Sequence, residues 1–120
     1  MKRRLRLRRH ADFQAVTAGG RRIYSGRALV ALAIPGPGVE NRIGVTVSRA
    51  IKGSVDRNRA RRRLREVSRT ELLGVDSPLS RLGIRYDVVL IARPGALEIS
   101  YADLKAEASQ AALRLARLNS

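Results

Sequence analysis

Residues 41–73 read NRIGVTVSRAIKGSVDRNRARRRLREVSRTELL, and two hydrophobic periods meet inside them. In Asn41–Ser48 the apolar Ile43, Val45 and Val47 alternate with Gly44, Thr46 and Ser48, the period of two that a half-buried strand requires. From Ser54 to Leu73 the period changes. Ala60, Leu64, Val67 and the stem of Glu71 fall on one side of a helix turning about 100° per residue, while Asn58, Arg61, Arg62, Arg65 and Arg69 gather opposite, within an arc of roughly 100°. Ser54 is placed to cap this helix, Asp56 stands in its first turn where the dipole favours negative charge, and Gly74 follows as a stop. Over Ser54–Leu73 seven arginines meet three acids. An apolar stripe laid on a sheet would hold that arginine face outward, and like charges at i and i+4, such as Arg61, Arg65 and Arg69, cost a lone helix about 0.2–0.5 kcal/mol per pair.

Outward from this core, Arg27–Ile34 (RALVALAI) is a continuous apolar run and reads as a second strand. Pro35-Gly36-Pro37-Gly38 can continue neither strand, so an antiparallel hairpin of the two is the economical connection. Upstream, His10–Ala18 (HADFQAVTA) has helical spacing and is stopped by Gly19-Gly20. The first nine residues hold six basic ones and no acid, which predicts a basic arm, extended or flexible until bound. Downstream, residues 74–85 read as a loop, Tyr86–Arg93 (YDVVLIAR) as a buried strand, and Ser100 opens a final helix ending near Leu118. In that helix Tyr101, Leu104, Ala108, Ala111, Leu115 and Leu118 share a face. No repeat or boundary divides residues 1–120, so one domain is expected.

The chain carries 25 Lys and Arg against 10 Asp and Glu, a formal charge of +15, and only Lys2, Lys52 and Lys105 are lysine. Such an excess calls for a polyanion, and arginine favours phosphate because guanidinium pairs with it in a planar, bidentate way. A GC-rich genome explains arginine in place of lysine, but not the excess over acids. Absence of cysteine removes disulfides, thiolate metal sites and cysteine nucleophiles. No apolar run approaches the roughly 20 residues of a membrane span, and the basic start leads into polar sequence, so a cytoplasmic protein without a membrane partner is expected. His10 is the only histidine and the acids are scattered singly, leaving no catalytic residues, no triad, no carboxylate metal cage and no phosphate-binding glycine loop to predict.

The run Val47-Ser48-Arg49, then Ile51 and Val55, and above all Arg57-Asn58-Arg59-Ala60-Arg61-Arg62-Arg63-Leu64-Arg65-Glu66, resembles the bacterial ribonuclease P protein component. That family's hallmark is an RNR helix after a Val-Ser-Lys-Lys strand end. Supporting resemblance covers nearly the whole chain, through Asp12-Phe13-Gln14, Arg42-Ile43-Gly44, the strand from Asp87 to Arg93 and the last helix. It implies an α/β fold, a two-layer α+β sandwich whose small sheet includes a βαβ crossover carrying the RNR helix with a left-handed connection, against the general preference for the right hand.

The resemblance further implies a protein subunit that binds a catalytic RNA and holds the 5′ leader of precursor tRNA in a cleft between the first helix and the sheet. The RNA-binding set is then Arg57, Asn58 and Arg59 of the motif, Arg61, Arg62, Arg65 and Arg69 along the helix, and Arg49 and Lys52 in the preceding loop. Phe13 falls on a cleft aromatic, with Thr17 where a second aromatic often stands and Ala31 at the strand position of the same cleft. Ala50 replaces the second lysine of the strand-end pair, and Lys52-Gly53-Ser54 varies the usual Gly-Asn-Ala. Hydrolysis would belong to the RNA, with Mg²⁺ bound through RNA and substrate and not by the protein alone, and no obligate protein partner is expected. A structural or ribosomal RNA-binding protein is the alternative that composition permits.

Overall fold

The computed structural model describes residues 3–118. The chain forms α1 (His10–Gly19), β1 (Arg21–Ser25), β2 (Leu29–Pro35), β3 (Arg42–Val47), α2 (Ser54–Glu71), β4 (Tyr86–Ala92) and α3 (Tyr101–Arg117), with short 3-10 turns at Arg3–Leu5, Pro78–Arg81 and Pro94–Leu97. The four strands make one mixed sheet in the order β1-β2-β4-β3: β1 with β2 and β2 with β4 are antiparallel, and β3 with β4 is parallel. The expected α/β sandwich, its antiparallel hairpin and the parallel β3-α2-β4 unit carrying the arginine helix are all present.

The hairpin, however, joins different strands from those the sequence suggested. β2 and β3 do not pair, because β4 lies between them. Its sequence YDVVLIA is apolar on both faces, and a strand so composed is stable only in mid-sheet with both faces covered. The Pro-Gly segment therefore spans a strand, and the tight hairpin is β1–β2, closed by the Gly26 N–H donating to the Leu29 carbonyl at 2.9 Å. β1 itself escaped the sequence reading because the ladder shifts register between Arg22 and Tyr24. The extra residue places Ile23 and Tyr24 on one side and breaks the period of two.

One sheet face carries α2 and α3. There Ala60, Leu64 and Val67 of α2 and Leu104, Ala108, Ala111 and Leu115 of α3 join Leu29, Ala31, Ile43, Val88 and Leu90 in the main core. The predicted face of the last helix is narrower than expected, since Tyr101 and Leu118 at its ends are both exposed. The other sheet face carries α1, where Val16 packs with Leu7 and Val89, flanked by Phe13, Leu32, Ile34 and Ile91. Arg42 and Asp87 face each other across β3 and β4 on this side, with Arg42 Nε and Nη2 donating to the carboxylate at 2.9 and 2.6 Å, and Asp12 of α1 stands 3.7 Å from the same guanidinium.

Two local expectations change. Residues 3–9 are held to the body: the Leu7 N–H donates to the Ile43 carbonyl at 2.9 Å, Arg6 bridges to Ile43, and the Leu7 side chain is buried. The leucines between the arginines supply the anchor, and the segment covers the outer edge of β3 that would otherwise be unpaired; residues 1 and 2 lie outside the described residues. At the start of α2 the cap is Gly53, at φ 86°, and Ser54 is the first helical residue and caps nothing with its side chain.

Candidate nucleic-acid interface

Burying Ala60, Leu64 and Val67 fixes the rotation of α2 and leaves its opposite face to solvent. Val55, Asn58, Arg61, Arg62 and Arg65 line an open concavity on that face. A second one, lined by Arg6, Arg62, Arg65, Glu66 and Arg69, continues it, so a single groove runs along the helix towards the N-terminal segment. Asn58 is oriented by its neighbour, its Oδ1 accepting from Arg61 Nη1 at 2.8 Å, which leaves its amide N–H groups facing outward. The Arg65 guanidinium is easier to deprotonate than usual, first because it is partly desolvated and then because Arg6 and Arg61 repel it. A cation so crowded is relieved by an anion placed among the three. Arg69 differs, being paired with Glu66 at 2.6 Å, which raises its own pKa through that hydrogen bond and lowers that of Glu66.

Two motif arginines are turned to structure. Arg57 Nη1 donates to the carbonyls of Ser48 and Ile51, both at 3.0 Å, and its Nη2 to that of Val47 at 3.4 Å. It therefore clamps the loop between β3 and α2 and presents Arg49 and Lys52, both exposed, beside the helix start. Arg63 Nη2 donates to the Ile99 carbonyl at 2.9 Å and ties α2 to the approach to α3. Arg59 is exposed at the same end of α2 as Asn58. Arg6 is the functional candidate that sequence reading passed over, and its signal was the Leu5-Arg6-Leu7 alternation of a strand-like segment.

On the α1 side Phe13 is half-buried over Gly44, where an added Cβ would stand 2.7 Å from the ring atoms Cε1 and Cζ. Thr17, one turn on, is exposed, and its hydroxyl donates to the Phe13 carbonyl at 3.0 Å. Ala31 does not join them. It lies opposite Leu90 on the face covered by α2 and α3 and is wholly buried in the main core, so the cleft assignment is corrected. The strand alternates, and the β2 residues sharing the face of Phe13 are Val30, Leu32 and Ile34.

Among the described residues no group of three or more His, Asp or Glu side chains is placed to hold a metal ion, and no helix is long and apolar enough to cross a membrane. Asp12 and Asp87 both face Arg42, at 3.7 and 2.6 Å from its guanidinium. The arrangement of arginines along α2 is suited to gripping phosphate.

A family model described as Ribonuclease P matches residues 1–116. The ribonuclease P protein component of Acidothermus cellulolyticus is 38% identical over 109 residues, covering 87% of this chain and 82% of that one. The protein of the same name from Erythrobacter litoralis is 40% identical over 111 residues, covering 92% and 84%. The chain belongs to the ribonuclease P protein family. Solved structures agree in fold: the Staphylococcus aureus RNase P protein superposes with a TM-score of 0.71 at 22% identity, covering 97% of this chain and 98% of that one. The Thermotoga maritima RNase P protein gives 0.67 at 23% identity, covering 95% and 94%. As a ribonuclease P protein component, the chain is an RNA-binding part of a tRNA-processing endoribonuclease complex.

Proposed function

We propose that the chain is the non-catalytic subunit of ribonuclease P in the cytoplasm, binding the catalytic RNA through the α2 groove and the 5′ leader of precursor tRNA across the α1 side of the sheet. The observation that carries this reading is the crowding of Arg61, Arg62 and Arg65 with Arg6 along one groove, an arrangement that repels itself until a phosphate enters it. Asn58 adds a neutral donor at its head, and Arg49, Lys52 and Arg59 extend the positive surface around the helix start. Arg57 contributes by holding the loop, and Arg69 by what remains of its charge beside Glu66.

Phe13, with Thr17 and the half-buried Leu32, Ile34 and Ile91 nearby, offers a narrow apolar platform for an extended strand. With one aromatic ring there, stacking on Phe13 is supplemented by arginine planes, and contact with the leader backbone dominates. Gripping the leader would favour precursor over mature tRNA, because only the precursor carries that strand. In this reading Mg²⁺ is held by RNA and substrate oxygens, and the protein supplies neutralisation and positioning.

The test is cleavage of a precursor tRNA by a bacterial ribonuclease P RNA at low Mg²⁺, with and without this protein. Stimulated removal of the 5′ leader is expected. RNA binding without any effect on cleavage would leave only the structural RNA-binding reading, and cleavage by the protein alone would end the division of labour.

A further inference from the structure

A second convergence of arginines lies on the other side of the molecule from the α2 groove. α2 packs over β3 and β4 and α3 over β1 and β2, so in the order β1-β2-β4-β3 the outer edge of β1 and the end of α3 face away from α2. There Arg21, Arg22, Arg114 and Arg117, with Ile23 and Leu118, surround an open concavity of about 240 Å³, and no Asp or Glu stands among its described lining residues.

The site is built from both elements. Arg21 and Arg22 are neighbours on an extended strand, opposite Ala33 and Leu32, so they straddle the rim of the sheet. Arg114 and Arg117 stand one turn apart in the last turn of α3. The Arg114 guanidinium lies 5.1 Å from the centroid of the Tyr24 ring, which fixes it, and burial, followed by Glu107, keeps that phenol neutral to higher pH than usual. Complementing the dipole at the end of α3 accounts for Arg114 and Arg117, but not for Arg21 and Arg22 on a separate strand. Blunting the β1 edge accounts for a charge there, but not for its convergence with α3.

We propose that this edge is a second RNA-binding site, which takes the phosphate backbone of a helix of the ribonuclease P RNA distinct from the segment lying on α2. Phosphate is the ligand because Arg21, Arg22 and Arg114 line one concavity with no Asp or Glu among its described lining residues, and bases are not, because Arg114 already covers the Tyr24 ring. The same RNA is the occupant because, once α2 is engaged, a second contact across a body 39 × 30 × 24 Å is intramolecular and gains from effective concentration. This inference rests on the reading that α2 holds that RNA.

The experiment measures affinity for a bacterial ribonuclease P RNA transcript from 50 to 200 mM salt, together with hydroxyl-radical footprints, first without and then with precursor tRNA. It compares the full chain with Arg21→Gln/Arg22→Gln/Arg114→Gln and with Arg61→Gln/Arg62→Gln/Arg65→Gln. The edge variant should lower the slope of log affinity against log salt by about 2–3, and one protected RNA stretch should vanish while the stretch that depends on α2 persists. Replacing the same three edge residues with lysine should keep the slope. Should the triple variant fold poorly, the single Arg22→Gln serves, with a slope change of about 0.7–0.9. An edge variant that behaves as the unaltered chain, while the helix variant flattens, overturns this inference and leaves the α2 reading intact. Wild-type behaviour of both variants defeats the α2 reading and the inference with it. A protection that appears only when precursor tRNA is added assigns the edge to substrate and also overturns the proposal.

Discussion

Arg57 and Arg62 stand on one helix and do opposite work. Arg57 satisfies three backbone carbonyls of the loop that leads into α2, whereas Arg62 lines both concavities of the outward groove. Replacing Arg57 by alanine removes charged hydrogen bonds to partly buried carbonyls, so urea unfolding should show a loss of about 1–3 kcal/mol. Arg62→Ala should stay within about 0.5 kcal/mol of the unaltered protein while weakening RNA binding. Equal stability of the two variants would show that the clamp carries no weight. The sequence pattern placed both residues on the arginine helix, but the carbonyls that claim Arg57 belong to Val47, Ser48 and Ile51, and their approach depends on how the loop folds. The same loop ends at Gly53, and the helix begins at Ser54. Because Gly53 alone has a positive φ among the described residues, at 86°, Gly53→Ala should cost about 1–3 kcal/mol, and Ser54→Ala, which removes no capping bond, should be near neutral in thermal melts. A reversed order would restore the serine cap that the sequence suggested.

Strand β4 decides the arrangement of the elements. Its apolar character on both faces was visible, and so was the alternation of β3, yet their adjacency was not, because a local reading pairs strands that are neighbours in sequence and β4 arrives only after α2. The register shift at Ile23 hides β1, and the cleft role of Ala31 rests on the resemblance alone, because the parity of β2 relative to α1 is set by tertiary packing and not by local pattern. What stayed legible was the apolar stripe of α2, since Ala60, Leu64 and Val67 alone determine which arginines face outward. The contact that locks β4 against β3 and α1 is Arg42 with Asp87, the latter buried, and Asp12. Asp87→Ala leaves Arg42 half-buried beside a weak partner and should cost about 2–4 kcal/mol in chemical denaturation. The double variant with Arg42→Ala should lose less than the sum of the two single losses, because the second substitution removes the orphaned charge. Strict additivity would mean that the two groups do not act as a pair.

At the scale of the molecule, a charge of +15 is spread over a body of 13.1 Å radius of gyration, with extents of 39 × 30 × 24 Å. The Debye length is about 30 Å at 0.01 M salt, comparable to the whole protein, so every cation then repels every other, and it falls to about 10 Å at 0.1 M. Folding concentrates those charges and must work against the repulsion. Added sodium chloride should therefore raise the melting temperature of the free protein, most steeply below 0.1 M. The complex with RNA should respond in the opposite sense. Each phosphate contact releases condensed cations, and a protein making 6–10 such contacts loses about 10³–10⁵ in affinity between 50 and 200 mM salt. Melting curves of the free chain and binding isotherms of the complex over one salt series test both arms. A melting temperature that falls with salt would mean that ion pairs such as Arg42–Asp87 and Arg69–Glu66 outweigh the repulsion, and affinity indifferent to salt would mean that the arginine groove does not meet phosphate. If both arms hold, one excess of charge opposes the folding of the free subunit and drives its assembly, and neutralising the groove arginines should raise the low-salt melting temperature of the protein as it weakens the complex.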